Sequence, residues 1–127
     1  MIDLPIFRAK RLYSDEYVFG VPRQDSEGMY EMIINVVEDG VAGVIQRYID
    51  VDTISIHFPN TLDSQGNKIF ASLNENGKGG DIVELDYKKK TAIWCSKTQA
   101  IMLNSKQTGL SILSLYRDDI NIIGIQQ

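Results

Sequence analysis

Cysteine and histidine occur once each, as Cys95 and His57. A single thiol excludes an intrachain disulfide and any cysteine-based zinc site, and a single imidazole excludes a two-histidine metal site. Apolar runs are short, as in Ile33–Ile34 and Ile122–Ile123, far below the ~20 residues that span a bilayer. The opening MIDLPIFRAKR carries an acid at position 3 and no basic stretch leading into an apolar one. No secretory signal and no membrane association are therefore expected, and the expected location is the cytoplasm. Positive charge is also in deficit. Seventeen acidic residues face thirteen basic ones, for a net charge of −4. That balance argues against broad binding to phosphate backbones, although it leaves room for a local basic patch.

What is present is ordinary globular material, 43% hydrophobic and 24% charged over 127 residues. Area scaling gives roughly 6,800 Å² folded against roughly 20,700 Å² extended, enough burial for one core without staples. A single domain over residues 1–127 is expected. Helical periodicity is poor, and short β-rich runs alternate with turn chemistry. Pro5–Leu12 and Tyr17–Val21 read as an opening hairpin, with Phe7, Ala9 and Phe19 expected inside and Arg8 and Lys10 outside. Tyr30–Val37 reads as a strand buried on both faces. Asp39-Gly40 is a strong turn signal, because this pair accepts positive φ cheaply. Gly43, inside the following run Val41–Val51, suggests a bend or bulge.

Further along, Asp52–Phe58 alternates, with Ile54 and Ile56 inside and His57 facing water. Lys68–Ala71, Asp81–Tyr87, Thr91–Cys95, Leu110–Tyr116 and Asn121–Ile125 read as strands. Lys88–Lys90 and Asp118-Asp119 read as turns, and Gln99–Leu103 as a strand or a helical turn. Ser72–Gly80, rich in Gly and Asn, reads as a mobile loop whose shortening costs little. The expected fold is all-β: a compact barrel-like or two-sheet domain of short antiparallel strands with at most one short helix.

Few residues suggest chemistry. No Gly-x-Ser-x-Gly elbow accompanies His57, so no serine triad is expected. Asp50 and Asp52 are spaced to share a strand face, but a hard-cation site needs more oxygens than they supply. Gly77-Lys78-Gly79-Gly80 lacks the Ser or Thr and the helix that a phosphate-binding loop requires. Cys95 has no neighbour in sequence that would depress a thiol pKa. No catalytic residue, metal or cofactor is expected. One cluster combines cations with rings: Arg8, Lys10, Arg11, Tyr13 and Tyr17. Such a mixture suits a binding face, and single-stranded nucleic acid is one class of ligand that would use it.

The segments Ile6-Phe7-Arg8-Ala9-Lys10 and Tyr17-Val18-Phe19-Gly20 resemble the opening of YopX-family proteins of phages and prophages. Asp52-Thr53-Ile54, Asp63-Ser64-Gln65-Gly66-Asn67-Lys68-Ile69-Phe70, Gly80-Asp81-Ile82-Val83 and Ile122-Ile123-Gly124 follow in the family's order. The family's Gly-Gln-aromatic-Thr-Gly stretch is replaced by Ser55–Asn60, and residues 72–79 form an insertion. The resemblance implies a β-rich accessory protein of a phage or prophage in a bacterial host, with no settled biochemical activity. The function expected from it is binding, foremost to a host or phage protein, with homo-oligomers allowed. The alternative is a small nucleic-acid-binding module that uses the Arg8/Lys10/Arg11 face. An excess of acids favours the protein partner.

Overall fold

A computed structural model describes residues 5–59, 61–85, 87–105, 109–112 and 120–127. Its strands are β1 (Ile6–Lys10), β2 (Tyr17–Gln24), β3 (Tyr30–Glu38), β4 (Val41–Tyr48), β5 (Ser55–His57), β6 (Ala71–Ser72), β7 (Asp81–Leu85), β8 (Lys88–Cys95), β9 (Ala100–Ser105), β10 (Gly109–Ile112) and β11 (Asn121–Ile125). The only helical element among the described residues is a 3-10 turn at Val51–Thr53, capped by the Asp50 carboxylate.

The strands form one mixed sheet in the order β10-β9-β8-β6-β5-β1-β2-β3-β4, and β8 also pairs with β7, which carries β11. The path ends at β10 and β4 and does not close, so the barrel-like form expected from strand spacing is absent. The sheet forks at β8, where Lys88–Thr91 pair with β7 while Ile93 pairs, in parallel, with Ser72 of β6. The whole of Lys88–Lys90 is therefore strand. The turn expected there sits earlier, at Tyr87, whose φ is +64°.

A second change of direction falls in β2. Its first half, Tyr17–Gly20, pairs with β1, and its second half, Val21–Gln24, pairs with β3. Gly20 lies at the handover, where any Cβ would collide with the Ile33 carbonyl. Only a glycine lets the two backbones pass this closely.

Two apolar clusters result. Ile69, Ala71, Val83, Leu85, Ala92, Ile101, Leu103 and Ile120 form one, and Ala9, Val18, Met32, Ile49 and Ile54 the other. β1 contributes to the second, and its period of two is as read from sequence: Phe7 and Ala9 face that cluster. The opposite face of β1 is covered as well, so Arg8 is buried, at 7% exposure, and Phe19 is half-exposed above it. His57 is likewise buried, not turned to water. Neither inversion alters the strand assignment. Each arises because a further layer lies on the face that alternation assigned to solvent.

Residues 72–80 are also packed. The Ser72 hydroxyl donates to the Lys78 carbonyl at 2.7 Å, and Gly79 N–H donates to Gln126 O at 2.8 Å. Gly79 has a φ of +82° and abuts the Thr53 backbone. The loop expected to be mobile is instead a plug between β6, β7 and the 3-10 turn. The turn expected at Asp118-Asp119 and the end of the Leu110–Tyr116 run lie outside the described residues.

Candidate interaction surface

The five residues expected to form one binding face divide into two groups. Arg8 points inward. Its guanidinium donates to Asp81 Oδ1 and to the Gly79 carbonyl, each at 2.9 Å, and lies 4.5 Å from the Phe70 ring centroid. Tyr17 joins this buried group, its ring 5.5 Å from the same guanidinium. The other Asp81 oxygen accepts from Phe70 N–H at 2.8 Å. Burial pushes the Asp81 carboxyl up, against the opposing pull of Arg8 and that amide. His57 Nδ1 donates to the Ile69 carbonyl at 3.0 Å, and burial lowers the imidazole pKa. This constellation of Arg8, Asp81 and His57 ties β1, β5 and β7 together. It is held by backbone and rings, and none of the clefts described below is lined by it.

The remaining three residues, Lys10, Arg11 and Tyr13, lie around the β1–β2 turn. Lys10 meets Asp15 at 3.5 Å, and Arg11 meets Glu16 at 2.9 Å. Both pairs are surface pairs of the kind worth about 0–1 kcal/mol. Tyr13 stands at the apex, fully exposed, with a φ of +59°. Left-handed backbone is unfavourable for a bulky aromatic residue and is found where surrounding structure enforces it. Here Arg11 N–H donates to Glu16 O at 2.9 Å and closes the turn beneath it.

Tyr13 stands between two clefts. One, about 330 Å³, is lined by Lys10, Arg11, Tyr13, Asp15 and Asp50 among others. The other, about 260 Å³, is lined by Arg11, Leu12, Tyr13, Met29, Gln46, Arg47 and Tyr48, with no carboxylate among the described residues of its lining. Sequence reasoning missed Met29, Gln46, Arg47 and Tyr48, because they come from β4 and the β2–β3 turn, and local patterning cannot bring separate hairpins together. The Tyr48 hydroxyl has a raised pKa, chiefly from the negative charge of Asp25.

Next to this cleft, β3 and β4 run outward beyond the end of β2. β3 pairs with β2 only from Tyr30 to Ile33, whereas its pairing with β4 continues to the Glu38–Val41 closure. The outer part is apolar and uncovered: Val37 is 75% exposed, Val41 70% and Val44 60%. Tyr30–Val37 is thus buried only at its base, around Glu31 and Met32, contrary to the reading of a strand covered on both faces. Asp39 and Gly40 turn the chain at φ of +53° and +78°, as the Asp-Gly pair predicts. The β3–β4 register runs through Gly43 without a break, so the bulge expected there is absent.

The remaining candidates have structural partners. Asp50 accepts from Asp52 N–H and meets Lys78 Nζ, each at 3.1 Å, so it serves as a cap and an ion-pair partner. Among the described residues no three His, Cys, Asp or Glu side chains come together as a metal site would require. Cys95 does have a depressed thiol pKa, caused first by hydrogen bonding to Thr98, contrary to the expectation that nothing near it would act. Among the described residues no helix is long and apolar enough to cross a membrane. No family model matches the chain, and neither a curated protein nor a solved structure does.

Proposed function

We propose that the chain is a YopX-like accessory protein of a phage or prophage that acts by binding a protein, and that the β3–β4 hairpin is its recognition element. The observation that carries this reading is the apolar surface of the hairpin, where Val37, Val41 and Val44 are each at least 60% exposed. Val37 and Val44 share one face and Val41 lies on the other, and exposed apolar surface of this kind marks interaction sites, those for proteins among them. The cleft beneath, with Tyr13, Tyr48, Arg11 and Arg47, supplies residue types enriched where proteins bind one another.

The nucleic-acid alternative draws less support. Arg8 is committed to Asp81, and Lys10 and Arg11 are each faced by a carboxylate. What remains is too little positive charge to offset a net −4.

Capture from phage-infected host extract tests the proposal, with wild type and Val37→Lys/Val44→Lys as parallel baits. The two positions share one face of the hairpin. A protein retained by wild type and absent from the variant is the expected result. Retained material that a nuclease releases, or an identical set of proteins on both baits, would reverse the reading.

A further inference from the structure

We propose that the open edge of β4 receives β4 of a second copy of this chain, antiparallel, across a two-fold axis at Gly43. This rests on the reading of the hairpin as a protein-recognition element and names its occupant.

The two-residue turn Asp39-Gly40 closes on the Glu38–Val41 pair, and this sets which backbone groups of β4 face outward. Odd-numbered residues turn their amides toward β3 and even-numbered ones turn theirs away. Bonds at the base agree: Ile49 N–H donates inward to Tyr30 O at 3.1 Å, while Tyr48 O accepts from Leu12 N–H at 3.0 Å on the outer side. The outer edge is thus covered at Tyr48 and, among the described residues, open along Ala42, Val44 and Gln46. At Gln46 the carbonyl accepts from the adjacent side chain, Arg47 Nη1, at 2.8 Å. No lysine or proline guards the open stretch, the usual defence of an edge strand.

A two-fold antiparallel pairing of this edge must match outward residues with outward residues, so the axis falls on a residue and not between two. With the axis at Gly43, Ala42 pairs with Val44 of the second copy and Val41 lies opposite its Ile45. Gln46 and Arg47 extend past Val41 to the Asp39-Gly40 turn of the second copy, which sets Arg47 beside Asp39. With the axis at Val44 or Ile45, Arg47 would face Val41 or Gly43 instead. Only the Gly43 register joins the charges, and it does so twice by symmetry.

Among the described residues neither Glu38, Asp39 nor Arg47 has an ion-pair partner within the chain. This register also brings each acidic tip, Glu38-Asp39, to the cleft of the other copy that Arg11 and Arg47 line. Apolar pairs fill the centre: Val41 with Ile45 on one face and Ala42 with Val44 on the other. At the axis, a Cβ on Gly43 would meet nothing within 4 Å in the single chain. Among the described residues no contact requires the glycine there, and close approach of another backbone is one of the uses of glycine inside a strand.

Sedimentation of the full chain from ~1 to ~100 μM reads the equilibrium directly. Wild type is expected to dimerise within that range. Arg47→Glu and Asp39→Lys should each weaken the dimer about tenfold or more, by placing like charges together. An equimolar mixture of the two should recover a one-to-one dimer, because both contacts are then between opposite charges. Asp39 occupies left-handed backbone, so Asp39→Asn, which suits the turn, provides a second variant, also weakened. Circular dichroism shows that each chain is folded.

Wild type that stays monomeric at ~100 μM overturns the proposal. So do variants that dimerise as wild type does, or a mixture of folded variants that fails to recover. Wild type that stays monomeric but still loses its captured protein on Val37→Lys/Val44→Lys overturns self-association alone and leaves the broader reading in place.

Discussion

The body around β1 and the outer half of the β3–β4 hairpin use similar residues for opposite ends. In the body, both faces of β1 are covered, and even Arg8 and His57 are enclosed. In the hairpin, three valines, Val37, Val41 and Val44, are left in water. Apolar content does not decide between these outcomes. What decides is how many strands and loops lie against each face, and that is set by pairing partners distant in sequence. β1 has β2 on one side and β5 on the other, with the plug at residues 77–81 above. Among the described residues the outer part of β3 has β4 alone. Charge is buried in the one region and valine exposed in the other for this reason.

The largest expected effect lies in the body. Arg8→Ala leaves Asp81 buried, at 3% side-chain exposure, without its cation. Breaking a buried pair from one side costs about 3–5 kcal/mol, most of it from the stranded charge. Urea denaturation measures this, and a loss below about 1 kcal/mol would mean that water reaches Asp81. The next contrast is between glycines. Gly79→Ala forces a Cβ into the Thr53 backbone from left-handed φ and should cost about 1–3 kcal/mol. Gly43→Ala meets only open space in the single chain and should stabilise it by about 0.5–1 kcal/mol, since alanine is less costly than glycine within a strand. The comparison of body and hairpin fails if the two substitutions have the same sign under dilute conditions.

Most of the strand order along the chain was legible from alternation and turn residues. Asp39-Gly40, β7 and β11 stand where the pattern put them, and so do Ile54 and Ile56 in the core. What alternation cannot report is the number of layers. It placed Phe7 and Ala9 on one face of β1 correctly, yet assigned the other face to solvent because Arg8 and Lys10 occupy it. The partner that inverts this reading, Asp81, is 73 residues away. The same limit hid the cleft. Tyr13 and Arg11 were visible as a cation-and-ring cluster, but Arg47 and Tyr48 reach them only through the return of β4 beside Leu12. Residues 72–80 misled for a different reason. Their glycines serve close packing and left-handed turns, which composition alone does not distinguish from mobility.

A gentler effect separates the regions by pH. His57 is enclosed, and burial holds its imidazole pKa below the usual 6.5, with nearby Lys68 acting in the same direction and Asp81 and the Ile69 carbonyl acting against it. A depressed pKa means that the unfolded chain takes up a proton before the folded one does. His57 therefore favours the fold fully above pH 6.5, and that contribution is lost as pH falls from 6.5 toward the folded value. Asp81 works with the opposite sign, because its carboxyl is pushed up and acidification favours the folded form. A net loss of stability between about pH 7.5 and pH 5.5 is thus assigned to the imidazole. His57→Phe should lower stability overall by stranding the Ile69 carbonyl, at about 1–3 kcal/mol. It should also flatten the slope across that window. Denaturant midpoints for both chains at several pH values provide the measurement. An unchanged slope in the variant would place the titrating group elsewhere in the molecule and remove His57 from the account of how the body is held.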